Sequence, residues 1–297
     1  MKHTLKITLL LVSLFFITQV VGLSITNNYI DHQITTVSGI TTFEALPYKI
    51  ERPQIKESTS YLWLMSAILV GTLLLLVLMK FKKTSLWKLW FFLAVFSTMA
   101  IAFSAFIDHT IAAILAFILA LIKIYKPITL IQNLTEVFIY GGLAAIFVPI
   151  INIFAAFMLL MLISIYDIIA VRYTKHMVKL AKFQTKSKVF AGLLIPYGKG
   201  KIVTKEKEIS KKRGGRIAVL GGGDIGFPLI FAGVVMKDLM LNNPELIGFL
   251  KTLIIPLFVS LALLYLLVRS RKDRFYPAMP YLTVGCVIGY LIVLLFF

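Results

Sequence analysis

Long apolar runs constrain this chain more than any other feature. Nine of them fall near residues 5–23, 61–79, 86–106, 110–125, 129–149, 151–171, 216–236, 249–268 and 278–297. A helix rises 1.5 Å per residue, so about 20 apolar residues cross the ~30 Å hydrocarbon core of a bilayer. The expected fold class is therefore an all-α membrane protein with nine transmembrane helices. Composition agrees: 59% of residues are hydrophobic and only 15% charged, where soluble domains run near ~45–50% and ~25%.

Charge orients the spans. Alternate connections are rich in Lys and Arg: Lys2 and Lys6; Lys80, Lys82, Lys83 and Lys88; Lys123 and Lys126; the segment Arg172–Arg216; and Arg269, Arg271, Lys272 and Arg274. The intervening connections are balanced or poor in positive charge. Positive residues resist translocation, which places the N-terminus in the cytoplasm and the C-terminus outside. Lys2 and Lys6 before an apolar run also fit a secretory signal, but the run is long and Val20–Gly22 is a poor cleavage site, so the first span is read as retained.

The net charge of +18 is concentrated in Arg172–Arg216, where fourteen Lys or Arg face only Glu206 and Glu208. No RNA-binding or zinc-finger pattern accompanies it, so nucleic acid is not an expected partner; anionic lipid head groups are. Three regions follow: residues 1–171 with spans one to six, a basic cytoplasmic loop 172–215, and residues 216–297 with spans seven to nine. The single cysteine, Cys286, excludes an internal disulfide and sits in an apolar run as a packing residue.

Three of the thirteen acidic residues lie well inside apolar surroundings: Glu136, Asp167 and Asp224. Each costs at least about 2.5 kcal/mol to insert at a helix centre, and none has a basic partner nearby in sequence. Asp167 is five residues before Arg172 and Asp224 is eight after Arg216, about 7.5 and 12 Å along a helix. On antiparallel neighbours the two carboxyls share a depth in the cytoplasmic part of the membrane. Two carboxyls in one apolar site cannot both ionise easily and so hold a shared proton. One then takes a proton from water while the other donates to a peptide carbonyl oxygen, with no metal and no cofactor. Gly221, Gly222, Gly223 and Gly226 crowd the start of the seventh span, which suits close approach of another backbone or plain helix packing. Glu136 is expected to hydrogen-bond a neighbouring span, and all four histidines are expected to be solvated. Neither His-Glu-x-x-His nor a serine-protease motif appears.

Tyr166-Asp167, Gly221-Gly222-Gly223-Asp224 and Pro277-Ala278-Met279-Pro280 together resemble the presenilin and signal peptide peptidase family of intramembrane aspartyl proteases, on the sixth and seventh spans and before the ninth. The resemblance implies that Asp167 and Asp224 are catalytic, and that Tyr166, Gly221, Gly222 and Gly223 support them. It implies also that Pro277, Ala278, Met279 and Pro280 shape substrate binding. Gly222 departs from the usual Leu and Met279 from Leu, and the first departure bears on cleavage-site preference. The orientation and short loops look like archaeal homologues, in the cell membrane of an archaeon. The implied substrates are transmembrane helical proteins, with no obligatory accessory subunits; self-association is compatible with the sequence.

Cutting a transmembrane helix requires unwinding it and giving its freed backbone groups new partners. The extended Pro277–Pro280 segment, a hairpin of Leu193–Tyr197 with Lys201–Val203, and a strand at Arg216–Leu220 are the candidate partners. The alternatives are a secondary transporter that uses the same aspartates for ion coupling, and a prepilin-peptidase-like protease.

Overall fold

The computed structural model describes residues 4–81, 84–126, 128–174, 176–177, 180, 183–184, 189–197, 216–270 and 276–296. Nine long helices among the described residues follow the predicted spans. The first five are α1 (Leu5–Asn28), α2 (Ser60–Lys80), α3 (Thr84–Ser104), α4 (His109–Tyr125) and α5 (Thr129–Phe147). The rest are α6 (Ile153–Ile168), α7 (Gly222–Asn242), α8 (Ile254–Arg269) and α9 (Met279–Phe296). Counting α8 together with the short helix Glu245–Thr252 before it, seven helices are long and apolar enough to cross a membrane. The exceptions are α4, with 17 residues, and α7, which carries Asp224, Lys237 and Asp238.

The predicted turns have local causes. The Asp108 carboxylate accepts the N–H groups of Thr110 and Ile111 and opens α4, which also holds its carboxyl below the usual range. Asn152 accepts the Ala155 N–H and opens α6 directly after the Pro149 turn. Each side chain satisfies a helix-terminal donor that has no partner within the helix.

Small residues set the packing. A Cβ on Gly142 of α5 would fall on the backbone of Thr98 in α3. On α9, a Cβ at Gly285 would stand 2.8 Å from the Cα of Val259, and one at Gly289 2.8 Å from the Cα of Ile255, both on α8. Glycines four apart on one face let two backbones meet where the surrounding lipid supplies no hydrophobic drive. At the other extreme is α2, which buries only Ser60 and Leu64.

The expected seventh span at 216–236 needs correction. Residues Arg216–Gly221 form strand β2, and the helix begins six residues late, at Gly222. Ile217 and Val219 are exposed while Ala218 and Leu220 are buried, an alternation that suits a strand and not a helix. The strand pairs antiparallel with β1 (Gly192–Tyr197), in the register Gly192↔Gly221 to Tyr197↔Arg216. The expected hairpin partner of Leu193–Tyr197, Lys201–Val203, lies outside the described residues, and β2 is the partner found.

Lys237 is buried near the end of α7. Its ammonium donates to Glu57 at 3.1 Å and to the carbonyls of Pro149 and Ile151 at 3.3 Å, locking α7 to the α5–α6 turn.

The α8–α9 contact yields a stability prediction. Gly285→Ala forces two touching backbones apart and should cost about 1–3 kcal/mol, read as a lower thermal unfolding midpoint in detergent; Val284→Ala, on the exposed side of α9, should leave the midpoint nearly unchanged.

Candidate active site

Asp167 is the penultimate residue of α6. The helix continues through Ile169–Tyr173 as a π-turn, a widening common at functional sites. Across from it stands the N-terminus of α9. The Asp167 carboxylate accepts the Met279 N–H at 3.1 Å and also takes the Ala278 N–H. The first N–H groups of a helix lack intrahelical partners and carry its positive end, so they suit an anion. One turn further along, Ser164 Oγ and Thr283 Oγ1 meet at 2.7 Å and bolt the same two helices together. Pro280 sits in the first turn of α9, where its missing N–H costs no hydrogen bond. Pro277 and Ala278 are buried before it. The Met279 N–H is thus already engaged by Asp167, so the expectation that Pro277–Pro280 offers free backbone groups to a substrate does not hold at that position.

Asp224 lies opposite, in the first turn of α7. Gly221 is the N-cap of that helix and Asp224 the third helical residue, so the carboxyl folds back to the Gly221 N–H. This is the reciprocal half of a capping box. The fold-back is close: a Cβ on Gly221 would stand 3.2 Å from Asp224 Oδ2. The two aspartates are near enough to feel each other's charge. Further along α7, Pro228 removes the N–H that would have bonded the Asp224 carbonyl, and Gln19 of α1 inserts there to donate to the Ile225 carbonyl at 2.9 Å.

Not every expected residue joins this meeting point. The Tyr166 hydroxyl points to His176 Nε2 at 2.9 Å and to Thr72 of α2 at 3.4 Å. His176 is therefore held and partly buried rather than freely solvated, and burial pushes its pKa down. A Cβ on Gly223 would meet only the flexible Phe227 ring, at 3.3 Å. No group of residues able to hold a metal occurs among the described residues.

Glu136 does bond a neighbouring span, as expected, and its partner there is a base, Lys123 of α4. Lys123 Nζ lies 2.6 Å from Glu136 Oε1, with both side chains 1% exposed. Lys123 had been counted among the cytoplasmic charges. The same Oε1 accepts from Gln132 Nε2 at 2.9 Å, and Oε2 accepts the Tyr140 hydroxyl. Gln132 also donates to the carbonyls of Phe190 and Gly192. Asn133 binds both the N–H and the carbonyl of Leu194, at 2.9 and 2.8 Å. Asn133 is thus a clamp on β1. The signal was available: Gln132, Glu136 and Tyr140 recur every four residues and share one face of α5.

The clamp settles which edge of the sheet is open. Both backbone groups of Leu194 point away from β2, so the alternation of antiparallel pairs turns those of its partner Val219, and of Ile217, to the far side of β2. That free edge leads directly into Gly221 and Asp224.

A family model described as signal-peptide peptidase, presenilin aspartyl protease matches residues 12–297. The chain belongs to this family. It is an intramembrane aspartyl protease and an integral, multi-pass membrane protein, and its substrates are membrane proteins in a lipid environment. Two solved structures of a presenilin family intramembrane aspartate protease, in C222 and P2 crystal forms, share the fold. At 18% identity they cover 97% and 96% of this chain, and 98% and 96% of their own, with TM-scores of 0.61 and 0.60. No curated protein sequence matches the chain. Family membership decides against the transporter and prepilin-peptidase readings.

The Asn133 clamp carries the next prediction. Asn133→Leu removes both bonds to Leu194, each worth about 0.5–1.5 kcal/mol. Hydrogen exchange at the Leu194 amide should accelerate, and proteolysis between 172 and 215 should quicken; an unchanged exchange rate would mean that the clamp does not hold β1.

Proposed function

We propose that Asp167 and Asp224 are the catalytic pair and that they activate one water molecule against a substrate peptide bond. The observation that carries this reading is their placement: two carboxyls within range of each other's charge, at adjoining ends of α6 and α7, amid apolar helices. The backbone N–H groups at the start of α9 favour negative charge on Asp167, which suits it to accept the proton of water. Asp224 then donates to the carbonyl oxygen of the scissile bond, and the water oxygen attacks its carbon. As the C–N bond breaks, the proton gained by Asp167 passes to the departing amine and a hydroxyl of the tetrahedral intermediate returns a proton to Asp224, which restores the starting pair.

The glycines serve the same end. Gly221 lets the Asp224 carboxyl fold back onto the corner between β2 and α7, and the family resemblance extends to Gly223 and to Pro277–Pro280 beside Asp167. Substrate enters as a transmembrane helix that unwinds locally and adds a strand to the open edge of β2. Ile217 and Val219 supply the backbone partners that the unwound segment loses. Tyr166 supports the site indirectly, by tying the end of α6 to His176 and α2.

All nine helices cross the membrane in this reading, with the N-terminus cytoplasmic, the C-terminus outside and the basic 172–215 loop in the cytoplasm. Regions 1–171 and 216–297 each bring one aspartate. Because one chain carries both, the chemistry requires neither an accessory subunit nor self-association. The loop lengths and orientation fit the cell membrane of an archaeon.

Purified protein and a fluorescent single-span reporter test the assignment. Asp167→Ala and Asp224→Ala should each lower cleavage by about 10²-fold or more while the unfolding midpoint is kept; cleavage surviving either substitution overturns it. Val219→Pro removes an N–H on the open edge while sparing the bonds to β1, and should lower kcat/KM about tenfold, the worth of one hydrogen bond near 1.4 kcal/mol. Cleavage at the wild-type rate by that variant would exclude strand addition at β2.

A further inference from the structure

The network around Glu136 uses every atom it has. Both oxygens of the carboxylate are engaged, with Lys123 and Gln132 on Oε1 and the Tyr140 hydroxyl on Oε2. A buried ion pair is a poor way to gain stability alone, since apolar residues of similar volume pack as well without the cost of desolvating two charges. What the network does supply is direction. Glu136 aims Gln132 at the carbonyls of Phe190 and Gly192, at the start of β1, and it aims the Tyr140 hydroxyl at Gly222.

We propose that Tyr140, held by the Glu136–Lys123 pair, is a positioning residue that backs the first turn of α7 and thereby fixes Asp224, and that it restricts position 222 to glycine. The proposal rests on the reading of Asp224 as catalytic. A Cβ on Gly222 would stand 2.5 Å from the Tyr140 hydroxyl and 3.2 Å from Cε1 and Cζ, while one on Gly226 would meet Cδ1 at 3.6 Å. Gly222 and Gly226 are four apart and share a face of α7, so the ring lies along that face. Asp224, two residues from each, projects from roughly the opposite side, about 200° around the helix at 3.6 residues per turn. The ring is thus a backstop behind the carboxyl that folds over Gly221. Gln132, which Glu136 accepts from, donates to the carbonyl of Gly192, the partner of Gly221, so both sides of the corner between strand and helix are referred to one buried anion. The Gly222 departure noted in the sequence acquires a cause: the space between the two flanking glycines is filled from α5.

The test uses purified full-length protein, the single-span reporter and four variants: Tyr140→Phe, Gly222→Ala, their double mutant, and Asp224→Ala as the inactive control. Tyr140→Phe keeps the ring but loses its bond to Glu136. It should lower kcat about tenfold with KM close to wild type, because the turn is misplaced by little and the substrate-binding edge is untouched, while the unpaired Glu136 Oε2 lowers the unfolding midpoint without loss of folding. Gly222→Ala should lower kcat by about 10²-fold, and adding Tyr140→Phe should restore at least about tenfold of that loss, since the 2.5 Å contact goes with the hydroxyl and a small ring shift absorbs the rest. Wild-type kcat in Tyr140→Phe overturns the proposal, as does a Gly222→Ala defect of equal size with and without the second substitution. Should Gly222→Ala fail to fold, the kcat of Tyr140→Phe decides alone. Cleavage surviving in Asp224→Ala would instead overturn the catalytic reading itself, and this proposal with it.

Discussion

Inside a bilayer every backbone N–H and C=O must find a partner, and the corner at Gly221–Gly222 is where this chain meets that demand with something other than a helix. The strand before the corner is paired on one side by β1, and β1 is itself clamped on its outer side by Gln132 and Asn133 of α5. The helix after the corner begins with its N-cap N–H taken by Asp224. Among the described residues, the far edge of β2 is left without a partner strand. A strand edge with free donors and acceptors is a liability in most proteins; in the proposed mechanism it becomes the surface on which an unwound segment regains its hydrogen bonds.

Glu136, Asp167 and Asp224 divide by how their charge is met. Glu136 is fully neutralised by Lys123 and saturated with donors, which fits a structural hub. Asp167 faces backbone N–H groups at a helix start, and Asp224 a single N–H at its own N-cap. In the proposed mechanism their remaining lone pairs take a water and a substrate carbonyl. An ion pair on either aspartate would hold its charge fixed and remove it from proton transfer; among the described residues neither aspartate has one, which is consistent with the proposed chemistry.

Much of this arrangement was legible in the residues. Apolar runs and alternating positive charge located all nine helices to within a few residues, except at the seventh, where the apolar run Ile217–Leu220 reads equally well as strand or helix over so short a length. Only the alternation of exposed and buried side chains separates the two, and that emerges when β1 supplies a partner 24 residues earlier in the chain. Asp167 and Asp224 stood out because isolated carboxyls in apolar runs have few inexpensive explanations. Glu136 stood out for the same reason, but its partner did not: Lys123 lies across the break between α4 and α5, near enough to the α4 end to look like a cytoplasmic charge. Gln132, Asn133 and Tyr140 were passed over because polar residues on a membrane helix show their purpose only once the strand and the glycine face they touch are in place.

The central claim is that one water-sized site lies between Asp167 and Asp224, with the open edge of β2 beside it. An experimental structure of the protein bound to a peptide analogue, with a hydroxyl in place of the scissile carbonyl, tests this most directly. The account predicts the hydroxyl within hydrogen-bonding distance of both carboxyls and the flanking peptide extended along Ile217 and Val219. A hydroxyl bound to only one aspartate, or a peptide still helical across the cleavage point, would contradict it.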